Sequence, residues 1–273
     1  MTRILLVEDN DFNRDMLGRR LTRRGFGMVY AVDGASAINM AESESPDVIL
    51  MDIGLGKDNG IDVTRQIRAR AFGKNIPIIA LTAHAMVADR DKCLSAGCNA
   101  FETKPVEFER LIKTIENCLR AENAPASRPR QEYDGLRRDE SATCATTPHR
   151  ADQVSVDQGA LDAIRALESS DAPNFFAELV GTYLRSAQEL LDEIHAAAAR
   201  DDAKGIAAAA HSLKASSADV GAVVLSDLCN ALETSSGQLD LAKAAELATM
   251  AVHEFDCVRG TLEAELSRSA AVR

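Results

Sequence analysis

Along the first 120 positions, short unbroken apolar runs alternate with stretches in which apolar residues return every three or four places. The runs are RILLVED, GMVYAVDG, VILMD, IPIIALT and AFETKP; helical patterns follow them, for example over Asp11 to Arg24 and Ala35 to Glu44. The apolar residues of each run stand side by side instead of alternating with polar ones, so both faces of the strand are buried. Strands of that kind alternating with helices predict an α/β doubly wound five-stranded parallel sheet, clad on both sides. From about residue 155 the strand signal stops. Helical periodicity continues over Gln158 to Leu167, Pro173 to Ala199, Ala203 to Ser217, Val223 to Ser235 and Leu239 to Leu266, with Pro173 near one helix start after Asp171 and Asp202 available as an N-cap. This predicts a separate all-α helical bundle.

Between the two patterns lies AENAPASRPRQEYDGLRRDESATCATTPHRADQV, which carries three of the chain's seven prolines, few apolar residues and mixed charge. It reads as a flexible linker, so the expected organisation is an α/β domain at 1–120, a linker at 121–154 and a helical domain at 155–273. A length of 273 residues suits two domains.

Charge and cysteine narrow the class. The net charge of −11 is concentrated C-terminally: residues 1–120 hold 17 basic and 17 acidic side chains, whereas residues 155–273 hold 9 and 19. A surface of that sign argues against nucleic acid as a direct partner. Apolar runs never approach the roughly 18 residues of a membrane span, and the opening MTRILLVEDND turns acidic at once, so neither a membrane segment nor an export signal is expected. The six cysteines form no CxxC pair, which fits a cytoplasmic protein better than a disulfide or zinc framework.

In an alternating parallel sheet, ligands gather at the carboxyl ends of the strands. Those ends carry Glu8 and Asp9 after the first run, Asp52 after the third, Thr82 after the fourth, and Lys104 with Pro105 after the fifth. Three convergent carboxylates repel one another unless a cation lies between them, and a hard divalent ion, Mg2+, suits an all-oxygen set. Lys104 and Thr82 add an ammonium and a hydroxyl, so a phosphoryl group would be held by metal, charge and hydrogen bond together. Asp52, central among the acids, is the candidate nucleophile for an aspartyl phosphate.

With VEDN at the first strand end, MD followed by Gly60 in MDIGLGKDNG, then LTAHA and FETKP, the first 120 residues resemble the response-regulator receiver family, CheY-like in fold. The resemblance implies the strand order 2-1-3-4-5 and Asp52 as phosphoacceptor. It further implies that Glu8, Asp9, Asp52 and the Gly54 backbone carbonyl hold magnesium, that Lys104 assists, and that Thr82 and Phe101 move on activation. Leu55-Gly56 replaces the family's usual Met-Pro pair, which implies a looser loop. Gly54 and His84 stand two residues beyond Asp52 and Thr82, beside the path of an attacking water.

The stretch AHSLKASSADVG places one histidine in an alanine-rich helix. Ile206, Ala210, Leu213 and Ser217 fall at i, i+4, i+7 and i+11 and form the buried stripe. His211 lies about 140° round from Ile206, among Ala207, Ala208, Lys214, Ala215 and Ala218, on an outward and flat face open to another protein's pocket. Lys214, three residues on, can meet phosphate charge. Together with FFAELVGTYL and LSDLCNALE, this stretch resembles the histidine phosphotransfer (HPt) family over residues 155 to about 270. That family binds no ATP. The resemblance implies that His211 accepts phosphoryl and that Lys214 stabilises the phosphohistidine; Ala215 stands where glycine is frequent.

The expectation is a phosphorelay protein that passes phosphoryl groups between Asp52 and His211 and partner proteins, with no ATP site of its own and so not an enzyme in the usual sense. The expected partners are a sensor histidine kinase and other receiver domains. Contact between the two domains of one chain is permitted by the linker, but exchange of His211 with an external receiver is favoured, with Asp52 tuning or draining it. Two other readings stay open. One is a phosphate sink or scaffold that binds a sensor kinase. The other is an aspartyl-phosphate phosphatase, against which Gly54 occupies the place of the second Asp such enzymes carry.

Overall fold

In the computed structural model, which describes residues 1–56, 58–82, 87–104, 106–122, 155–168, 174–237 and 240–271, each apolar run of the first domain becomes a strand. These are β1 (Arg3–Val7), β2 (Gly27–Ala31), β3 (Val48–Asp52), β4 (Ile78–Thr82) and β5 (Ala100–Thr103), all parallel in the order β2-β1-β3-β4-β5. The helices are α1 (Asp11–Arg23), α2 (Gly34–Ser43), α3 (Gly60–Arg68), α4 (Val87–Ala96) and α5 (Phe108–Glu122).

The continuous apolar runs have the expected cause. Leu5, Val7, Ile49, Met51, Ile78 and Ala80 face one side of the sheet, packing with Ile38 of α2 and Ile67 of α3. Ile4, Leu6, Val48, Leu50, Ile79 and Leu81 face the other, packing with Leu21 of α1 and Leu111 and Ile115 of α5. Successive residues therefore enter different cores, and neither side of the sheet tolerates a polar residue.

After β3, Gly54–Leu55 and Asp58–Asn59 pair as a short antiparallel hairpin, and Leu55 is buried in the sheet core. The ladder hydrogen bonds and the leucine anchor hold it.

The C-terminal part is helical throughout its described residues: α6 (Gln158–Arg165), α7 (Phe175–Ala198), α8 (Ala203–Asp219), α9 (Val223–Gly237) and α10 (Leu241–Ala271). Helices α7 to α10 close into a four-helix bundle, each packed on the next and α10 back on α7, with α6 against α7. Asp202 caps α8, its Oδ1 accepting from the Gly205 N–H at 3.0 Å. Ile206, Ala210, Leu213 and Ser217 are all buried, as their spacing requires. Residues 123–154, which hold most of the expected linker, lie outside the described residues, as do Asp171, Pro173 and Leu239. Among the described residues no helix is long and apolar enough to cross a membrane.

The two domains touch. Helix α1 packs on α7 and α8, and the hairpin after β3 meets α8.

Candidate functional site

All five strands run the same way, so their carboxyl ends share one edge of the sheet, and the backbone alone brings the separated acids together. Glu8 and Asp52 are each 2% exposed, Thr82 is buried and Asp9 is half-buried. One carboxylate oxygen from each of Glu8, Asp9 and Asp52 lies within 4.8 Å of the others. Lys104 follows β5, and its Nζ donates to Glu8 Oε2 at 2.7 Å and to Asp52 Oδ2 at 2.8 Å. The other Asp52 oxygen, Oδ1, accepts from the Gly54 N–H at 3.1 Å. Behind the acids, Asn13 Nδ2 donates to Glu8 Oε1 at 3.2 Å, and Arg14 donates to the carbonyls of Glu8 and Asp9 at 3.0 and 3.3 Å. Gly60 lets α3 begin directly beside the acid, because a β-carbon there would collide with the Asp52 carbonyl.

The electrostatics are those of an under-neutralised pocket. Burial raises the Glu8 carboxyl above its ordinary range and the Asp52 charge adds to this, while Lys104 opposes it. Burial and the Glu8 charge likewise raise Asp9. Burial disfavours the Lys104 ammonium, yet the charges of Asp52 and Glu8 outweigh it and hold the amine well above its ordinary value. Among the described residues, three carboxylates face one ammonium. A hard dication with oxygen ligands fits that deficit, so the residues present suit magnesium. A cleft of about 250 Å³, lined by Asp9, Asn10 and Asp11 on one side and by Thr182, Arg185 and Ser212 on the other, borders the Asp9 edge of this pocket.

Phe101 on β5 is half-buried with the Arg90 guanidinium 5.6 Å from its ring centre. His84 and Pro105 lie outside the described residues.

The structure corrects the reading of His211. Its face of α8 is outward with respect to the bundle, as the spacing implies, but it is not an open surface. The imidazole is 18% exposed and packs over Gly54: a β-carbon added there would stand 2.9 Å from His211 Nε2. Ala215, expected on the same open face, is 8% exposed. The foreign pocket that a flat, small-residue face invites is the chain's own.

Glu233 on α9 was not among the expected site residues. Its Oε1 lies 3.0 Å from His211 Nδ1, and its Oε2 accepts from Lys214 Nζ at 2.5 Å. Lys214 also reaches Asn230 Oδ1 at 3.4 Å. Burial pushes the Glu233 carboxyl up, but hydrogen bonds and charge from His211 and Lys214 prevail and hold it at about 2. It is ionised at neutral pH and can only accept, so a neutral His211 carries its proton on Nδ1 and presents a lone pair at Nε2, toward Gly54. The only hint in the sequence was an acid in NALE, 22 positions beyond the histidine; helical periodicity does not connect residues on different helices. The other described histidines show no such arrangement: His195 Nδ1 meets the carbonyl of Leu191 within its own helix, at 3.0 Å.

The profile of the response regulator receiver domain matches residues 4–116, and that of the Hpt domain matches residues 178–271. A polar-differentiation response regulator, DivK, of Brucella ovis is 34% identical over 116 residues, which span 42% of this chain and 94% of that protein. Among solved structures, the receiver domain of a sensor histidine kinase from Pseudomonas aeruginosa, which has a magnesium ion coordinated in its active site cleft, is 39% identical, covering 43% of this chain and 97% of that one with a TM-score of 0.41. Chemotaxis response regulator CheY4 of Vibrio cholerae is 26% identical, covering 43% and 98%, with a TM-score of 0.42.

Proposed function

The chain belongs to the response regulator receiver family and carries an Hpt domain as well, which makes it a two-component phosphorelay protein; on that premise we propose that phosphoryl passes directly between Asp52 and His211 of one chain. The observation that carries this reading is His211 Nε2 seated over Gly54, two residues from Asp52 and beside its pocket.

Each residue has a part in the step. Glu233 fixes the Nδ1–H tautomer and aims the ring, so that Nε2 is the nitrogen that attacks or departs. As phosphoryl leaves His211, the P–N bond breaks while a P–O bond forms to an Asp52 carboxylate oxygen, and the reverse transfer inverts the two changes. Lys104 is placed to exchange a carboxylate partner for a phosphoryl oxygen, and Thr82 to offer its hydroxyl. Lys214 steadies the charge on phosphohistidine. Glu8, Asp9, Asp52 and the Gly54 carbonyl would hold Mg2+, which when bound neutralises phosphoryl oxygen charge. Thr82 and Phe101 are the switch pair.

The domain limits stay at 1–120, 121–154 and 155–273. Phosphoryl enters from a sensor kinase in the cytoplasm and leaves to another receiver. The protein itself carries phosphoryl groups and does not turn over a substrate.

The test is labelling of the purified chain by an acetyl-phosphate-type donor. Magnesium should be required, Asp52→Asn should abolish incorporation, and in the unaltered chain acid-labile phosphohistidine should appear at His211. Equal labelling of the Asn variant would refute the assignment.

A further inference from the structure

Two apolar residues of α1 do not belong to the receiver's own cores. Phe12 (0% exposed) and Met16 (7%) lie in the hydrophobic cluster of the helical bundle and in neither cluster that flanks the sheet. The Phe12 ring meets Tyr183 of α7 edge-on, with centroids 5.5 Å apart. Around them the contacts are cationic on one side. The Arg19 guanidinium lies 4.3 Å from the Phe175 ring centre and 3.9 Å from Glu178 Oε2, and Arg23 donates to the carbonyl of Ala166. Phe12, Met16, Arg19 and Arg23 are spaced i, i+4, i+7 and i+11, so they form one stripe of α1, distinct from the Leu17 and Leu21 stripe that faces the sheet.

We infer that this stripe is a docking surface dedicated to the chain's own helical domain, and that the docked arrangement withholds both Asp52 and His211 from outside partners. The inference rests on the phosphorelay reading for what is withheld, but not for the docking itself. Without the bundle, Phe12 and Met16 would lie on a water-facing helix. With it, an outside phosphohistidine and His211 would need the same mouth of the Asp52 pocket, where Gly54 leaves room for one imidazole. The occupant is internal because the segment joining the domains keeps the bundle at an effective concentration of about millimolar, roughly a thousandfold above a micromolar partner. Charge agrees, since arginines of α1 face the domain that holds 19 acidic and 9 basic side chains. Outside exchange then waits on undocking.

The experiment uses the full chain and the variant Phe12→Glu, which places a charge in the bundle cluster without touching either sheet core. X-ray scattering and sedimentation should find the unaltered chain monomeric with a radius of gyration near the roughly 19 Å of a compact protein of this length, and the variant monomeric but expanded. The initial rate of phosphoryl incorporation from acetyl phosphate with magnesium should rise about tenfold or more in the variant, the ratio for about 1.4 kcal/mol of lost docking. Arg19→Glu should give a smaller rise of about two- to threefold, reversed when combined with Glu178→Arg. That pair keeps the test valid if Phe12→Glu folds poorly. An expanded unaltered chain, a dimer in which the bundle of a second copy occupies the stripe, or an incorporation rate indifferent to both α1 variants would overturn the inference. Absence of incorporation in every variant, with the shape change intact, would instead defeat the phosphorelay reading.

Discussion

Replacing Lys104 with methionine keeps the length of the side chain and removes the ammonium that bridges Glu8 and Asp52. Both carboxylates are 2% exposed, and the ammonium meets them at 2.7 and 2.8 Å. Coulomb's law at an effective dielectric of about 20 gives about 6 kcal/mol for each contact. Much of that offsets the desolvation of three buried ions, so truncating one partner of such a set costs about 3–5 kcal/mol. For a domain of this size the loss is about 10–20 °C in melting temperature. The sign with pH follows from Glu8, whose carboxyl already sits above its ordinary 4.5 through burial, partly countered by Lys104. Removing Lys104 raises it further. An acid raised in the folded state contributes stability below its unfolded value and loses that contribution as pH rises through the folded value, so the defect should deepen toward neutral pH and shrink toward pH 4.5. Added magnesium restores positive charge at the same oxygens and should stabilise Lys104→Met more than the unaltered chain. The assay is thermal unfolding of the full chain by circular dichroism, at several pH values, with chelator and with magnesium. A melting shift of less than about 4 °C at neutral pH in chelator, or equal responses of the two proteins to magnesium, would refute the view of this pocket as under-neutralised.

Glu233→Ala should slow transfer between His211 and Asp52 about tenfold, the equivalent of about 1.4 kcal/mol of lost orientation, while Glu233→Gln, whose amide oxygen still accepts from Nδ1–H, should recover part of the rate in rapid-quench measurements. The Glu233 carboxyl is held down at about 2, so its contribution is present above the ordinary carboxylate range and is lost only as pH falls through about 2. Tyr183→Phe deletes the 3.1 Å hydrogen bond to Ser217 inside the bundle and should cost about 1–2 kcal/mol in denaturant unfolding, yet leave the scattering profile unchanged, because the ring that meets Phe12 remains.

What the sequence determined by itself follows from chemistry that needs no partner. An apolar run with no polar alternation must be buried on both faces, which yields a parallel sheet, and a parallel sheet sends its strand ends to one edge; Glu8, Asp9, Asp52, Thr82 and Lys104 were legible together for that reason. The outward position of His211 followed equally from helix geometry. The helical pattern reports only which side of a helix avoids water and is silent on what covers it. Only the tertiary structure therefore decided that Glu233, from a neighbouring helix, orients the histidine, and that Leu55 anchors a hairpin after β3. It decided, too, that the face of α1 bearing Phe12 and Met16 is covered by the bundle. The stripe was readable as apolar at i and i+4, but a second apolar face beside the Leu17 and Leu21 stripe has no internal mark of its partner. Local periodicity turned His211 toward an open face; the packing of Phe12 into the bundle and of His211 over Gly54 places that histidine at its own chain's pocket, because burial of apolar surface and a glycine-sized gap act between residues that no sequence spacing relates.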